Sequence, residues 1–594
     1  MMAIQHRLIA AAICAVFAMP ALAFEAILDT NAEGGLRARL TEYSAVLTAQ
    51  REGTTEPSDI VAAVQSDYRI LLATLYRSGY YGPTIRIAVD GREGADMPLV
   101  NLPNAISNIV ISVDTGAKFT FGNAQIGPLA PETLLPDGFA KGRTARSGEV
   151  GAAKDAAIDA WRAAAHPKAA LSSQNIVADH SAKTLDVALG IAPGPRSKFG
   201  TLRFAGTDSV SSERLLEITG DIRNKSFSPE TLDTVATRLR RTGAFQSVTI
   251  TEAETLNDDD SLDVVATLTD AAPRRFGFGA ELSSLEGGTL STFWLHRNIS
   301  GNADRLRFDG EISGLGSSTG VDYTLALSYR RPGTTRPVLA LTADAKIDLI
   351  DDPNFRSSTG QFSVGGELTF SDTDFFSAGI GYRYSDVTDD FGNRNFSHFI
   401  IPIEGARDSR DNALNPTKGT YFAAEIMPFI GFNGSSDGLR LFADTRAYTG
   451  FGTDDQFVLA GRIMAGSILA SAIDETPADL LFYSGGGGTV RGQPYQSLNV
   501  DLGGGVRAGG TSFLGFSTEL RARVRKKVMA VGFADIGAVG ENELPDNTMA
   551  WHSGAGLGLR YETGFGPIRL DVATPTSGTT GDGVQIYVGI GQAF

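Results

Sequence analysis

Cysteine is almost absent from this chain: among 594 residues there is one, Cys14. Its position matters. Met1 to Ala23 carries His6 and Arg7, an apolar run from Leu8 to Met19 and a closing Ala21-Leu22-Ala23, the layout of a secretory signal peptide with a small-residue cleavage site. The mature chain then has no thiol, which excludes disulfides, cysteine metal sites, thiol catalysis and redox switching. A hydrophobic run long enough for a membrane helix is also missing from the leader, since a helical span needs roughly 20 residues. Positive charge is scarce, with 52 Lys and Arg against 68 Asp and Glu and a net charge of -16. A phosphate backbone needs a basic face, so nucleic acid is excluded as a partner. Histidine is sparse too. His166, His180, His296, His398 and His552 have no ligand spacing, and surface or interfacial places are expected for them rather than a metal site. No cofactor is expected.

What the chain has in quantity is glycine, at 69 residues. The stretch on which the sequence turns is Gly485-Gly486-Gly487-Gly488-Thr489-Val490-Arg491-Gly492-Gln493-Pro494-Tyr495, a non-periodic insertion in a strand-patterned half. Its glycines free the backbone for φ > 0 and deliver one arginine among small residues. It is not a cofactor-phosphate loop, because no strand and helix bracket it and no Lys-Ser/Thr closes it. A mobile surface loop is the plain alternative.

From Phe24 to about Pro273 the pattern is helices alternating with short strands. The clearest unit has a strand at Thr201 to Phe204 and a helix capped by Ser211 with Leu215, Leu216 and Ile218 inward. A second helix enters through Ser228-Pro229-Glu230 with Leu232, Val235, Ala236 and Leu239 on one stripe, and strands follow at Gln246 to Glu252 and Ser261 to Leu268. Lys118-Phe119-Thr120-Phe121-Gly122 and Lys198-Phe199-Gly200 open similar units, and Leu75 to Tyr81 echoes Leu239 to Phe245. Three units fit, 24–112, 113–193 and 194–272, with the middle copy degenerate around Trp161, His166 and Pro167. Such βααββ units resemble polypeptide-transport-associated (POTRA) domains. Their outer strands leave backbone groups open to an extended client segment, and a plain spacer is the bland alternative.

From Arg274 onward, within 273–594, the helical period disappears. Leu514, Phe516, Thr518, Leu520 and Ala522 alternate with Gly515, Ser517, Glu519, Arg521 and Arg523. The last strand does the same, with Val584, Ile586, Val588, Ile590 and Phe594 on one face and Gln585, Tyr587, Gly589 and Gly591 on the other. Allowing about 20 residues per strand and connection gives about sixteen antiparallel strands, the even number of a bacterial transmembrane barrel. Long connections are expected after Asp304 to Ser313, after Pro337 to Ile347 and after Gln456 to Ile463, with short turns at Arg525-Lys526 and Thr563-Gly564. Trp294, Phe375, Phe376, Tyr421, Trp551 and Tyr561 suit interfacial girdles. The fold class is therefore α+β POTRA-like repeats followed by an all-β barrel.

These residues carry a family resemblance. Val490-Arg491-Gly492 resembles the lumen-loop motif of the outer-membrane assembly factors of the BamA/TamA superfamily. Phe533-Ala534-Asp535-Ile536-Gly537, Arg410 to Gly419, Gly566 to Asp571 and the final Phe594 are similar to further motifs of that family. Three POTRA-like units point to the TamA branch, and Gln493 departs from the aromatic usual at its place. The resemblance implies an outer membrane of a Gram-negative bacterium, with POTRA-like domains in the periplasm. It implies unfolded outer-membrane protein clients, contact with the lipid bilayer, and an inner-membrane-anchored TamB-like partner. It places Arg491 in the lumen on Asp535 and Glu519. A charge-assisted bond of about 1.5 to 3 kcal/mol would fall toward about 0 to 1 kcal/mol in a wet lumen, giving a positioning role. A seam between the strand near Phe276 to Leu282 and the strand holding Gly589, Gly591 and Phe594 would open to template clients.

Two rivals stand beside this reading. A two-partner-secretion-type export pore would conduct one dedicated polypeptide through the lumen. An enzyme is the other, on the two G-x-S-x-G stretches Gly316 to Gly320 and Gly434 to Gly438, but neither has the helix that a nucleophile elbow needs. No catalytic residue is assigned. Asp258 to Asp260 reads as a solvated hairpin turn and not as a calcium site.

Overall fold

The structure, a computed structural model, describes residues 24–98, 102–283, 287–317, 320–371, 373–564, 566–592 and 594. The expected leader with Cys14, and Ser318 and Thr319 of the first G-x-S-x-G stretch, lie outside the described residues.

The first N-terminal unit is one sheet in the order Glu25–Thr30, Asn108–Asp114, Thr84–Val89, Arg92–Glu93. Three helices accompany it, Gly34–Tyr43, Ala45–Glu52 and Pro57–Ser78, one more than the repeat pattern predicts. The extra break is built at Ser44. Its hydroxyl accepts from the Leu47 amide as an N-cap and donates to Asp67 at 2.6 Å, while Asp67 also accepts from the amides of Ala45 and Val46. Burial pushes the Asp67 carboxyl up from its ordinary value, and the Ser44 bond is the first force opposing that. The strand Asn108–Asp114 buries Ile109, Ile111 and Val113 against Val61, Val64, Leu71 and Leu75. It runs through residue 112, so the first unit ends two residues later than the sequence pattern puts it.

The second unit keeps three strands, ordered Thr120–Gly127, Thr184–Ala192, Ala170–Asp179, and a single helix, Ser147–Ala163. Its first helix is replaced by irregular chain through residues 128–146, where Pro128, Pro131, Pro136, Gly138 and Gly142 leave no uninterrupted helical turn. The third unit has the expected order: Lys198–Ala205, helices Ser212–Thr219 and Pro229–Arg241, then Phe245–Glu252 and Ser261–Asp270. Ser211 caps its first helix through the Arg214 amide. Leu215 and Ile218 are buried, Leu216 is half-buried, and Leu232, Val235, Ala236 and Leu239 form the buried stripe of the second helix. Asp259 stays in the hairpin turn, accepting from the Ser261 amide and hydroxyl.

The rest is a closed antiparallel barrel. Its strands are β1 (Arg274–Ser283), β2 (Gly287–His296), β3 (Arg305–Leu315), β4 (Asp322–Arg331), β5 (Leu339–Asp351), β6 (Arg356–Thr369), β7 (Asp374–Asp389), β8 (Gly392–Ile400 continued by Ile403–Asp408) and β9 (Gly419–Phe432). They continue as β10 (Gly438–Phe451), β11 (Phe457–Leu469), β12 (Ser512–Arg525), β13 (Val528–Gly540), β14 (Ala550–Thr563), β15 (Gly566–Ser577) and β16 (Gln585–Ile590). The two pieces of β8 are one strand: Ile400 faces Gly381 and Ile403 faces Ala378, a single register interrupted at Pro402, which has no N–H to give the ladder.

Each barrel strand alternates an exposed apolar face with a polar or buried one. On β12, Phe516 and Leu520 are exposed while Ser517, Glu519 and Arg521 are buried, and Phe278 and Leu557, at 85% and 72% exposure, lie on the outer face. This is the surface a bilayer would cover. Phe376, Trp551 and Tyr561 belong to the exposed face. Tyr421 does not: its ring lies under the guanidiniums of Arg410 and Arg446, on the lumen side.

The alternation of long and short connections is weaker than expected. The link after β5 is only residues 352–355, too short for the predicted long loop. One connection is long, residues 470–511 between β11 and β12.

Candidate functional site: a lumen loop seated on a buried charge cluster

The connection 470–511 folds back against the inner wall. Leu480, Leu481, Phe482 and Leu498 pack with Met427 and Phe429 of β9, Met464 of β11, Phe513 of β12 and Val539 of β13. Asp479 forms a buried ion pair with Arg383 of β7 and accepts from Thr359 of β6. With its base fixed, the glycine-rich tip can be placed accurately.

At the tip, Arg491 reaches the inward faces of β12, β13 and β15. Its Nε and Nη2 donate to Asp535 at 2.8 and 3.0 Å, a two-pronged bond, and its backbone amide donates to the same carboxylate at 3.1 Å. Nη1 donates to Glu519 at 2.6 Å and lies 3.4 Å from Asp571. The guanidinium carbon stands 3.6 Å from the centre of the Phe533 ring. Arg521 completes Glu519 at 2.8 Å, and Arg560 pairs with Asp571. Arg491, Arg521 and Arg560 thus face Glu519, Asp535 and Asp571, all at most 3% exposed. The cluster is closed to bulk solvent. Buried pairs of this kind cost desolvation but lose about 3–5 kcal/mol when one partner is removed, so the near-zero value for exposed pairs does not apply.

Glycines make the approach possible. A Cβ on Gly554 of β14 would meet the Arg491 carbonyl at 2.0 Å, and one on Gly537 of β13 would meet Ser484 Oγ at 2.2 Å and Val490 Cγ2 at 2.8 Å. Gly492 holds φ +96, and a Cβ there would meet the Thr574 backbone of β15 at 2.7 Å. Gln493, in place of an aromatic, is fully buried: Nε2 donates to the carbonyls of Ser553 and Ser577, and Oε1 accepts from Thr580. Gly492 is held by β16, its amide donating to Tyr587 Oη at 3.2 Å and its carbonyl accepting from Gln585 at 2.8 Å.

The seam is sparse. Among the described residues, β1 and β16 pair through Leu282 with Val588 and Ser283 with Tyr587, whereas β1 and β2 pair along the whole of Arg274–Ser283. Arg569 of β15 reaches across to Glu281. Gly589 lies on β16, with Arg569 and Glu281 side chains beside it. Gly591 and Phe594 do not lie on the seam strand, which stops at Ile590. Gly591 takes φ +97, and Phe594 is buried in the lumen against Tyr448 and Ala460, its carbonyl accepting from Arg521. The physical reason is an attractive pocket inside: an aromatic floor and a guanidinium that would otherwise bond only Glu519 and the Pro416 carbonyl.

The sequence pattern names Arg491, Asp535 and Glu519 but not Asp571, Arg560, Gln585 or Tyr587. Each of those faces inward on its strand, which was the available signal. His398 and His552 are fully buried, not superficial, since both take inward places in the barrel.

Together these features define a membrane-type β-barrel protein with POTRA-like α/β units ahead of it and an arginine-tipped loop folded into the lumen. The Omp85 superfamily domain matches residues 298–594, half of the chain, and the chain belongs to that superfamily. Among solved structures it is similar to BamA from Haemophilus ducreyi lacking POTRA domains 1-3, at 17% identity and TM-score 0.62, over 80% of this chain and 100% of that one. It is also similar to CdiB from Acinetobacter baumannii, at 12% identity and TM-score 0.50, over 80% and 90%. At these identities the likeness is one of fold.

Proposed function

We propose that this chain is a TamA-type assembly factor of the Gram-negative outer membrane, with its POTRA-like units in the periplasm. Those units capture unfolded outer-membrane protein clients on open strand edges, with a TamB-like partner anchored in the inner membrane. The barrel then passes the clients into the bilayer through its seam. The observation that carries this reading is the edge of β1. Register Leu282 to Val588 continues to Ala280 opposite Ile590, yet Arg274–Glu281 has no strand partner on that side among the described residues. Unpaired N–H and C=O groups beside lipid are costly, and an entering client strand would satisfy them.

The test is a disulfide across the seam, Leu282→Cys with Val588→Cys, in a mature chain without competing thiols. The oxidised protein is expected to stop inserting barrel clients into vesicles and to recover on reduction. Full insertion in the oxidised state would end the seam reading. An export pore is the alternative: it predicts secretion of one dedicated polypeptide and indifference to the cross-link. The packing of residues 470–511 against the inner wall favours the seam route.

A further inference from the structure

Around the tip runs a chain of hydrogen bonds whose direction can be read from its end. Gln493 Nε2 faces two acceptors, the carbonyls of Ser553 at 2.8 Å and Ser577 at 2.9 Å, which fixes the amide so that Oε1 faces Thr580. Thr580 must spend its only hydroxyl hydrogen on Oε1, at 2.8 Å. It therefore accepts from His552 Nδ1 at 3.0 Å, and Nδ1 carries a proton. In a neutral ring Nε2 is then an acceptor, and it receives the Ser484 hydroxyl at 2.8 Å. His552 is fully buried; its immediate neighbours are Ser484 of the lumen loop, Thr580 and Gly578 of the connection before β16, and Gly537 of β13. None of these is charged, and the closest charged side chain on the β13 wall is Asp535, which is held by Arg491.

We propose that His552 and Thr580 are positioning residues. With Ser484 and Gln493 they form a one-way relay that seats both flanks of the Arg491 tip on the connection leading into β16. Since Gly492 is bonded directly to Gln585 and Tyr587, the lumen loop is tied at two points to the seam strand and at a third, Thr580, to the connection leading into it, so that loop and strand move together. This rests on the reading of tip and seam as working parts, but it is tested without any client.

The whole protein, reconstituted in nanodiscs with ¹⁵N-labelled histidine, reports the ring state, with His552→Gln assigning the resonance. The expected signal is a neutral ring protonated at Nδ1. Thr580→Val removes the acceptor and should move the proton to Nε2, and Thr580→Ser should restore the parent signal. Amide exchange across residues 484–493 and 578–590 should rise about tenfold in Thr580→Val, as expected for losing one to two ordinary hydrogen bonds, and stay near parent in Thr580→Ser. An Nε2-protonated ring in the parent, or exchange in Thr580→Val confined to residues 578–584, overturns the proposal. If the relay behaves as stated while a seam-locked protein still inserts clients, the functional reading fails and the relay stands.

Discussion

Arg491 shows how burial changes the meaning of a charge. Its motif and its acid partner Asp535 are legible in the sequence, because each sits in a recognisable local pattern. The closure of the site from solvent is not, since it depends on the Phe533 ring under the guanidinium and on acids that β12, β13 and β15 bring together from far apart in the chain. Arg491→Ala is expected to destabilise the barrel by about 3–5 kcal/mol, read as a lower midpoint of heat-modifiability, and to reduce client insertion. Arg491→Lys should recover part of the stability only, because an ammonium cannot fork onto Asp535. A second residue prediction concerns pH. Asp352, in the connection after β5, accepts from Gln496 of the lumen loop at 2.6 Å. Burial, together with Asp322, pushes its carboxyl up to about 7. A carboxyl raised in the folded state binds its proton more tightly there than in the unfolded chain. Stability is therefore fullest at acid pH and declines as pH rises from the ordinary carboxylate range toward 7. Asp352→Asn should raise the midpoint at pH 8 and leave it unchanged at pH 4, and equal effects at both would refute this.

At the scale of elements, the connection 470–511 rests on a seat made by missing side chains on β13 and β14. Gly554→Ala places a methyl 2.0 Å from the Arg491 carbonyl, so the tip must lift. The expected result is a folded barrel in which a protease cuts the loop within 485–495, sites protected in the parent. The strands themselves were readable from period two on β12 and β16. The fate of Phe594 was not, because a pattern that continues apolar to the chain end cannot show that Gly591 takes a left-handed turn and that Phe594 is buried inside. The same limit hid Gln493: its polarity looks like a defect in a motif until two carbonyls and Thr580 are found around it.

For the whole molecule, the sequence repeats lead to an expectation of three N-terminal units, and three separate sheets stand in that region, but the repeats do not give the content of each. The prolines between 128 and 136 erase a helix in the second, and Asp67 adds a helix break in the first. The strand Asn108–Asp114 sets the practical boundary, so a deletion of residues 24–116 removes one complete sheet. That variant is expected to keep a heat-modifiable barrel and to insert clients more slowly. A barrel that fails to assemble would show that the first unit serves folding instead.

The short pairing of Leu282 and Ser283 with Val588 and Tyr587 also has a mechanical meaning. A hoop under tension parts at its weakest joint, and β6 and β7 are sewn together along Arg356–Thr369 while the ends of the hoop are tacked over a far shorter length. A load that dilates the cylinder is expected to part this joint before the other fifteen of the wall.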